Sequence, residues 1–236
     1  MNVAIHQPQY FPWPPYVHKV MSADIFVYLD TVQFTKNGVQ NRNQIKTSQG
    51  PQWLTVPVRH ELGRSIRDTE LVSPFATVKH WKTLQANYAR TPGFQRWKDE
   101  LHDLLHQEYR TLDEVAIAST EWMIDKLDIN NKRLRASEIQ GTHGRASELV
   151  ASICEAFEGD SYLTGTGALD YLEADDFKHI GCKVLVQQWD WLHFSYRQVH
   201  DVFVHGLSTL DLLLNEPDRA AELISAAGRW EALESV

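Results

Sequence analysis

With 236 residues the chain is long enough to bury a sizeable core, as one large domain or two small ones. Its apolar fraction of 43% and charged fraction of 23% are ordinary for a globular protein, and a formal net charge of -8 argues against a general nucleic-acid binder, which carries a basic face. No apolar run approaches the roughly 20 residues of a membrane-spanning helix, and two cysteines are too few to staple a secreted domain of this size.

The chain begins with Val3-Ala4-Ile5, an apolar strand that runs directly into His6. Nothing there has the basic and apolar regions of a secretory leader, so the expected compartment is the cytoplasm. Gln7 to Pro15 then forms a proline- and aromatic-rich loop, with Pro14 or Pro15 suited to the first position of a helix over Tyr16 to Met21. Ile25 to Leu29 is a nearly continuous apolar run ending in Asp30, as in a buried parallel strand.

A hairpin is expected over about residues 40–58, its strands flanking Gln49-Gly50-Pro51. Residues from about 77 to 128 read as helical, through Val78, Trp81, Leu84 and Tyr88 and then Phe94, Trp97, Leu101 and Leu105. Thr111-Leu112-Asp113-Glu114 has capping-box spacing. Beyond Arg133 the pattern alternates again. Arg145 to Phe157 is amphipathic, and Ser161 to Thr164 is a short strand leading through Gly165-Thr166-Gly167 toward Ala168 to Leu172. Lys183 to Gln187 is another strand, Leu207 to Leu214 a leucine-rich helix capped by Ser208, and Pro217 opens a last helix that Gly228 ends. The whole reads as a single α/β domain over 1–236: a mostly parallel, Rossmann-like sheet with an added β-hairpin and a helical insertion.

Strand ends are where α/β folds assemble sites. His6 is the best acid/base candidate, since its ordinary pKa near 6.5 permits proton exchange at neutral pH. Asp30 would orient its ring if the two strands are parallel neighbours. Gln7, Gln9, Tyr10, Trp13, Tyr16 and Lys19 surround this strand end, with Gln33 beyond Asp30. Their rings either stack on a sugar or base face or pack the loop onto the domain. Asn41-Arg42-Asn43 with Lys46 offers a guanidinium fork, two amides and an amine for an anionic ligand, Lys46 being counted with the catalytic groups. Tyr162 and the Gly165 and Gly167 turn supply a weaker anion cradle. The loop after the first strand holds no glycine, unlike a dinucleotide loop. Cys154 and Cys182 read as structural, no serine sits in a G-x-S-x-G elbow, and His102 and His106 read as structural or solvated rather than metal ligands.

Several strings in order, I-H-Q-P-Q-Y-F-P-W, A-D-I-F-V-Y-L-D-T-V-Q-F, N-R-N-Q-I-K, W-L-T-V-P-V and S-Y-L-T-G-T-G-A-L-D-Y-L, resemble the WbqC-like protein family from residue 3 to about 215. One departure is Pro15, where the family pattern usually has glycine before the tyrosine. The resemblance implies a place in the making of O-antigen and other surface polysaccharides. The step implied is transfer of an acyl or aminoacyl group to the amine of a nucleotide-linked amino sugar. His6 would be the base and Arg42 with Lys46 the phosphate clamp. The acyl donor stays open between an ATP-activated acid and a carrier thioester, the latter with an acyl carrier protein as partner. A non-catalytic sugar-nucleotide scaffold and a nucleotidyl-transfer enzyme are the alternatives. For one site to form, the strand ending at His6 must lie beside the strand before Asp30, and the hairpin must fold over that edge to bring Arg42 in.

Overall fold

The computed structural model describes residues 1–200 and 202–233. The chain opens as a β-α-β unit: β1 (Asn2–His6), α1 (Pro14–Ser22) and β2 (Ile25–Tyr28). A hairpin of β3 (Arg42–Thr47) and β4 (Gly50–Thr55) follows, then α2 (Val78–Tyr88), α3 (Pro92–His106) and α4 (Leu112–Lys126), before the chain rejoins the main sheet as β5 (Lys132–Arg135). The second half alternates through α5 (Ser147–Ala156), β6 (Ser161–Thr164), α6 (Ala174–His179), β7 (Lys183–Trp189), α7 (Thr209–Asn215), α8 (Ala220–Ala227) and β8 (Gly228–Ala232). No helix among the described residues is long and apolar enough to cross a membrane.

The main sheet runs β5-β2-β1-β6-β7-β8, parallel except for the antiparallel β7–β8 pair. Counted within this sheet alone, that is the strand order 3-2-1-4-5-6 of dinucleotide-binding Rossmann sheets. The expectation for β1 and β2 holds, with Val3 opposite Ile25 and His6 opposite Tyr28. Alternation along the strands sends side chains to two cores. Ala4, Phe26, Tyr28 and Leu163 face Tyr16 and Val20 of α1 and Ile124 of α4. Val3, Ile5, Val27 and Tyr162 face Val150 and Ile153 of α5 and Phe177 of α6. A third core joins the hairpin to α2, α3 and α7 through Ile45, Leu84, Tyr88, Leu101 and Leu213.

Local chemistry sets the element ends. Pro14 occupies the first turn of α1, where its missing N–H costs no hydrogen bond. Glu114 turns back to accept from the Thr111 N–H at 3.3 Å, and Ser208 Oγ accepts from the Leu210 N–H at 3.1 Å, so both expected caps form.

Four expectations need correction. β5 and β8 were not expected, because Lys132-Arg133-Leu134-Arg135 and Gly228-Arg229-Trp230-Glu231-Ala232 are polar; both are edge strands, which need one apolar face at most. Gly228 does not merely end α8: it starts β8, and a Cβ there would fall 2.4 Å from the His18 ring. The last helix opens at Ala220 rather than at Pro217. Gly165-Thr166-Gly167 leads only into a single 3-10 turn, Thr166–Ala168, not into a helix over Ala168 to Leu172.

Candidate functional site

From β1 the chain crosses to β2 on one side, and from β6 it crosses to β7 on the other. The carboxyl ends of β1 and β6 therefore stand at the topological switch point, where connections diverge and leave a crevice. Two adjoining cavities of about 240 and 340 Å³ occupy it, both walled by His6, Lys19, Gly165 and Gly167. Their individual volumes lie around the lower end of the range usual for small-molecule sites.

His6 ends β1, and its Nδ1 lies 3.0 Å from the Gln7 carbonyl oxygen. A carbonyl only accepts, so Nδ1 carries the proton and Nε2 is left as an acceptor. The Tyr16 ring meets the imidazole edge to face at 4.6 Å. Burial, reinforced by the neighbouring Lys19 ammonium, depresses the His6 pKa to about 3. His6 is thus a neutral imidazole of fixed tautomer at pH 7.

Lys19 projects from α1 and is 5% exposed. No carboxylate among the described residues pairs with it, and burial alone lowers its pKa to about 7. A buried, unpaired lysine costs stability, and such groups concentrate at functional sites. Gly165 lies beside it: the Lys19 amine is 3.6 Å from where a Cβ would stand, an ordinary van der Waals contact.

The larger cavity continues toward Trp13, Gln187, Gln188, Trp189 and Trp191. Trp13 and Trp191 face one another with ring centres 5.4 Å apart. Gln187 Nε2 donates to the Pro15 carbonyl at 2.8 Å and so ties β7 to the start of α1. The smaller cavity continues toward Gln7, Leu29, Tyr162, Thr164 and Tyr171. Tyr162 lies parallel to Phe177 at 5.2 Å.

Of the residues singled out from sequence, His6, Gln7, Trp13, Tyr16, Lys19, Tyr162, Gly165 and Gly167 meet at this crevice. The others are placed elsewhere. Asp30 does not orient His6; its carboxylate accepts from the Ser137 N–H at 3.0 Å and the Ser137 hydroxyl at 2.6 Å, because the chain turns away after Tyr28. Arg42 does not share the crevice: its guanidinium lies 4.4 Å from the Trp53 ring centre and donates to the Asn37 carbonyl. Strand alternation turns its neighbours inward, where Asn41 donates to the Val56 carbonyl and Asn43 to the Phe11 carbonyl. Lys46 is buried, its amine donating to the carbonyls of His200 and Val202.

Gln9 is buried, with its backbone carbonyl accepting from the Thr120 hydroxyl at 3.0 Å. The Tyr10 hydroxyl meets His80 Nδ1 at 2.8 Å within the third core, so this ring packs the loop. Gln33 is exposed and bridges to Ser65. The hairpin does reach the rim, through Gln40, which donates to Gln7 Oε1 at 2.7 Å.

Sequence reasoning missed Tyr171, Gln187, Gln188, Trp189 and Trp191. The two glutamines carried a usable signal, for they follow the apolar Val184-Leu185-Val186 at the end of a parallel strand, as His6 follows the apolar Val3-Ala4-Ile5 at the end of β1. Cys154 and Cys182 are buried in the core under α5 and α6.

The WbqC-like protein family matches this chain over residues 7–223. The chain is also similar to the Uncharacterized protein Rv1507c of Mycobacterium tuberculosis, 30% identical over 217 residues, which is 91% of this chain and 93% of that protein. The family match takes in every wall of the crevice except the end of β1, and on that extent the chain belongs to the WbqC-like protein family.

Proposed function

We propose that the chain is an enzyme that transfers an acyl or aminoacyl group to the amine of a nucleotide-linked amino sugar used in surface polysaccharide such as O-antigen. One observation carries this reading: Lys19, buried without a carboxylate partner among the described residues, stands beside a neutral His6 at the switch point of a Rossmann-like sheet. Such crevices hold nucleotide-bearing ligands, and the facing rings of Trp13 and Trp191 give a base or sugar flat apolar surface.

The amine of the sugar attacks the acyl carbonyl carbon, a C–N bond forms, and the bond to the donor's thiolate or phosphate breaks. The nitrogen must shed a proton. His6, with a pKa of about 3, is a weak base, so the base role passes to Lys19, which is a free amine in substantial fraction at neutral pH. His6 Nε2 accepts a hydrogen bond from the incoming amine and so fixes its approach. The departing group leaves with the electron pair of the broken bond.

The test is a product search by mass spectrometry. Nucleoside-diphosphate amino sugars are offered with acetyl- or hexanoyl-coenzyme A, or with glycine and ATP. An amide of the sugar is expected, and Lys19→Met should lower its rate about 10²-fold or more, with the lower pH limb of the parent profile near 7. Saturable binding with no new mass from any donor would overturn the reading in favour of a non-catalytic scaffold. Full turnover in Lys19→Met would remove Lys19 as the base.

A further inference from the structure

A third cavity of about 190 Å³ adjoins the crevice and shares Gln7, Leu29 and Tyr171 with it. Its remaining walls are Val32, Ala146, Leu149 and Val150, and among the described residues Gln7 and Tyr171 alone bring polar side-chain groups to its lining. Resting on the transfer reading above, we infer that this cavity receives the aliphatic tail of the acyl donor, and that the group transferred is a short-chain acyl rather than a charged aminoacyl group.

The argument is one of desolvation. A sugar or a base placed here would turn hydroxyls or ring nitrogens against Leu29, Val32, Leu149 and Val150, which have no hydrogen bond to return. The α-ammonium of an aminoacyl group would meet no carboxylate on these walls, at greater cost. An alkyl chain leaves water with no such loss. At the neck, Gln7 Oε1 is already engaged by Gln40, so the Gln7 amide N–H groups remain to donate to the acyl carbonyl. That places the acyl carbonyl at Gln7, a wall common to the side cavity and to the crevice that His6 also lines.

The far wall is built at the start of α5. Leu149 and Val150 belong to the first turn of α5, and Ala146 immediately before it has φ 48 and ψ -118. That conformation suits glycine, and an alanine there stores strain of the kind found where a side chain is kept for a purpose. Here the retained methyl belongs to a residue that lines the cavity on its exposed side.

The full chain is titrated with acetate, butyrate, hexanoate and octanoate by saturation-transfer NMR, alone and as Ala146→Gly and Leu149→Phe, with melting curves to show that each variant is folded. Affinity in the parent should rise about fourfold per added methylene until the cavity is full, the change that burial of one CH₂ produces, and then stop rising. Ala146→Gly should move the optimum to a longer chain, and Leu149→Phe to a shorter one. Equal affinities from acetate to octanoate in the parent, or an unchanged optimum in a folded Ala146→Gly, overturn the assignment. The two readings separate cleanly. Chain-length-dependent binding without amide from any donor defeats the transfer reading alone, whereas amide formed equally fast from acetyl and hexanoyl donors defeats the cavity assignment alone.

Discussion

The Lys19 amine stands 3.6 Å from the point that a Cβ on residue 165 would occupy. Gly165 has φ -99 and ψ 168, a conformation open to any residue, and 3.6 Å is an ordinary van der Waals distance, so an added methyl would rest against the Lys19 amine with neither backbone strain nor a clash. Gly165→Ala should therefore fold, with stability unchanged or raised by up to about 1 kcal/mol through the stiffer unfolded chain. Its methyl would displace water from the Lys19 amine, lower the Lys19 pKa further and reduce ligand affinity. Gly167→Ala, where nothing lies within 4 Å, is the matched control for lysine-selective NMR titration and calorimetry.

Lys19 should make stability depend on pH with a definite sign. The unfolded chain holds the Lys19 proton up to about 10.5, the folded chain up to about 7. Between those values the unfolded state binds more protons, so this residue makes the folded state more stable as pH rises, by at most about 1.4 kcal/mol per pH unit. Lys19→Met has no such dependence. Urea unfolding should show the variant more stable than the parent at pH 6, with the gap closing toward pH 10. A gap that does not change with pH would place Lys19 in water.

His6 should stay neutral across the physiological range. With a pKa of about 3 set first by burial and then by Lys19, its ring should show no protonation step of its own between pH 5 and 8, only the small shift that loss of the Lys19 charge near pH 7 induces. Between about 3 and 6.5 the unfolded chain binds the extra proton, so His6 adds to stability as pH rises through that window. In Lys19→Met the second cause is gone and the pKa should rise, while burial still holds it below 6.5. Imidazole NMR titration of both proteins measures this directly.

Asp30 should prove a stabilising residue and not a catalytic one. Asp30→Ala leaves the Ser137 N–H and hydroxyl without their acceptor, a loss of about 1–3 kcal/mol, and should leave the folded protein's rate per molecule near that of the parent. Activity and melting temperature measured on the same preparation distinguish the two roles.

Arg42 should likewise be silent in ligand binding. Arg42→Ala removes its contact with Trp53 and its bond to Asn37 but touches no wall of the crevice. Calorimetry with a nucleoside-diphosphate sugar should give Arg42→Ala and the parent the same affinity; a large loss would extend the site to the hairpin.

Much of the architecture was written locally in the chain. The runs Val3-Ala4-Ile5, Ile25 to Leu29 and Val184-Leu185-Val186 are apolar without alternation because both faces of a parallel sheet are covered, and Pro14, Glu114 and Ser208 mark helix starts by groups within a few residues of them. For the same reason His6 and Lys19 could be chosen as site residues: one follows a strand, the other lies two turns into the next helix. The sequence could not say which polar groups face each other, since that depends on strand order. Asp30 and His6 are near in the sheet, yet a turn after Tyr28 gives the carboxylate to Ser137, a residue 107 positions away. Pairing within β3–β4 set the alternation that turned Asn41 and Asn43 inward and Arg42 onto Trp53. Gln187, Gln188 and Trp189 at the end of β7, and Trp191 just after it, joined the crevice only because β6 and β7 lie on the far side of β1 from β2, an arrangement made by long-range packing that no local pattern encodes.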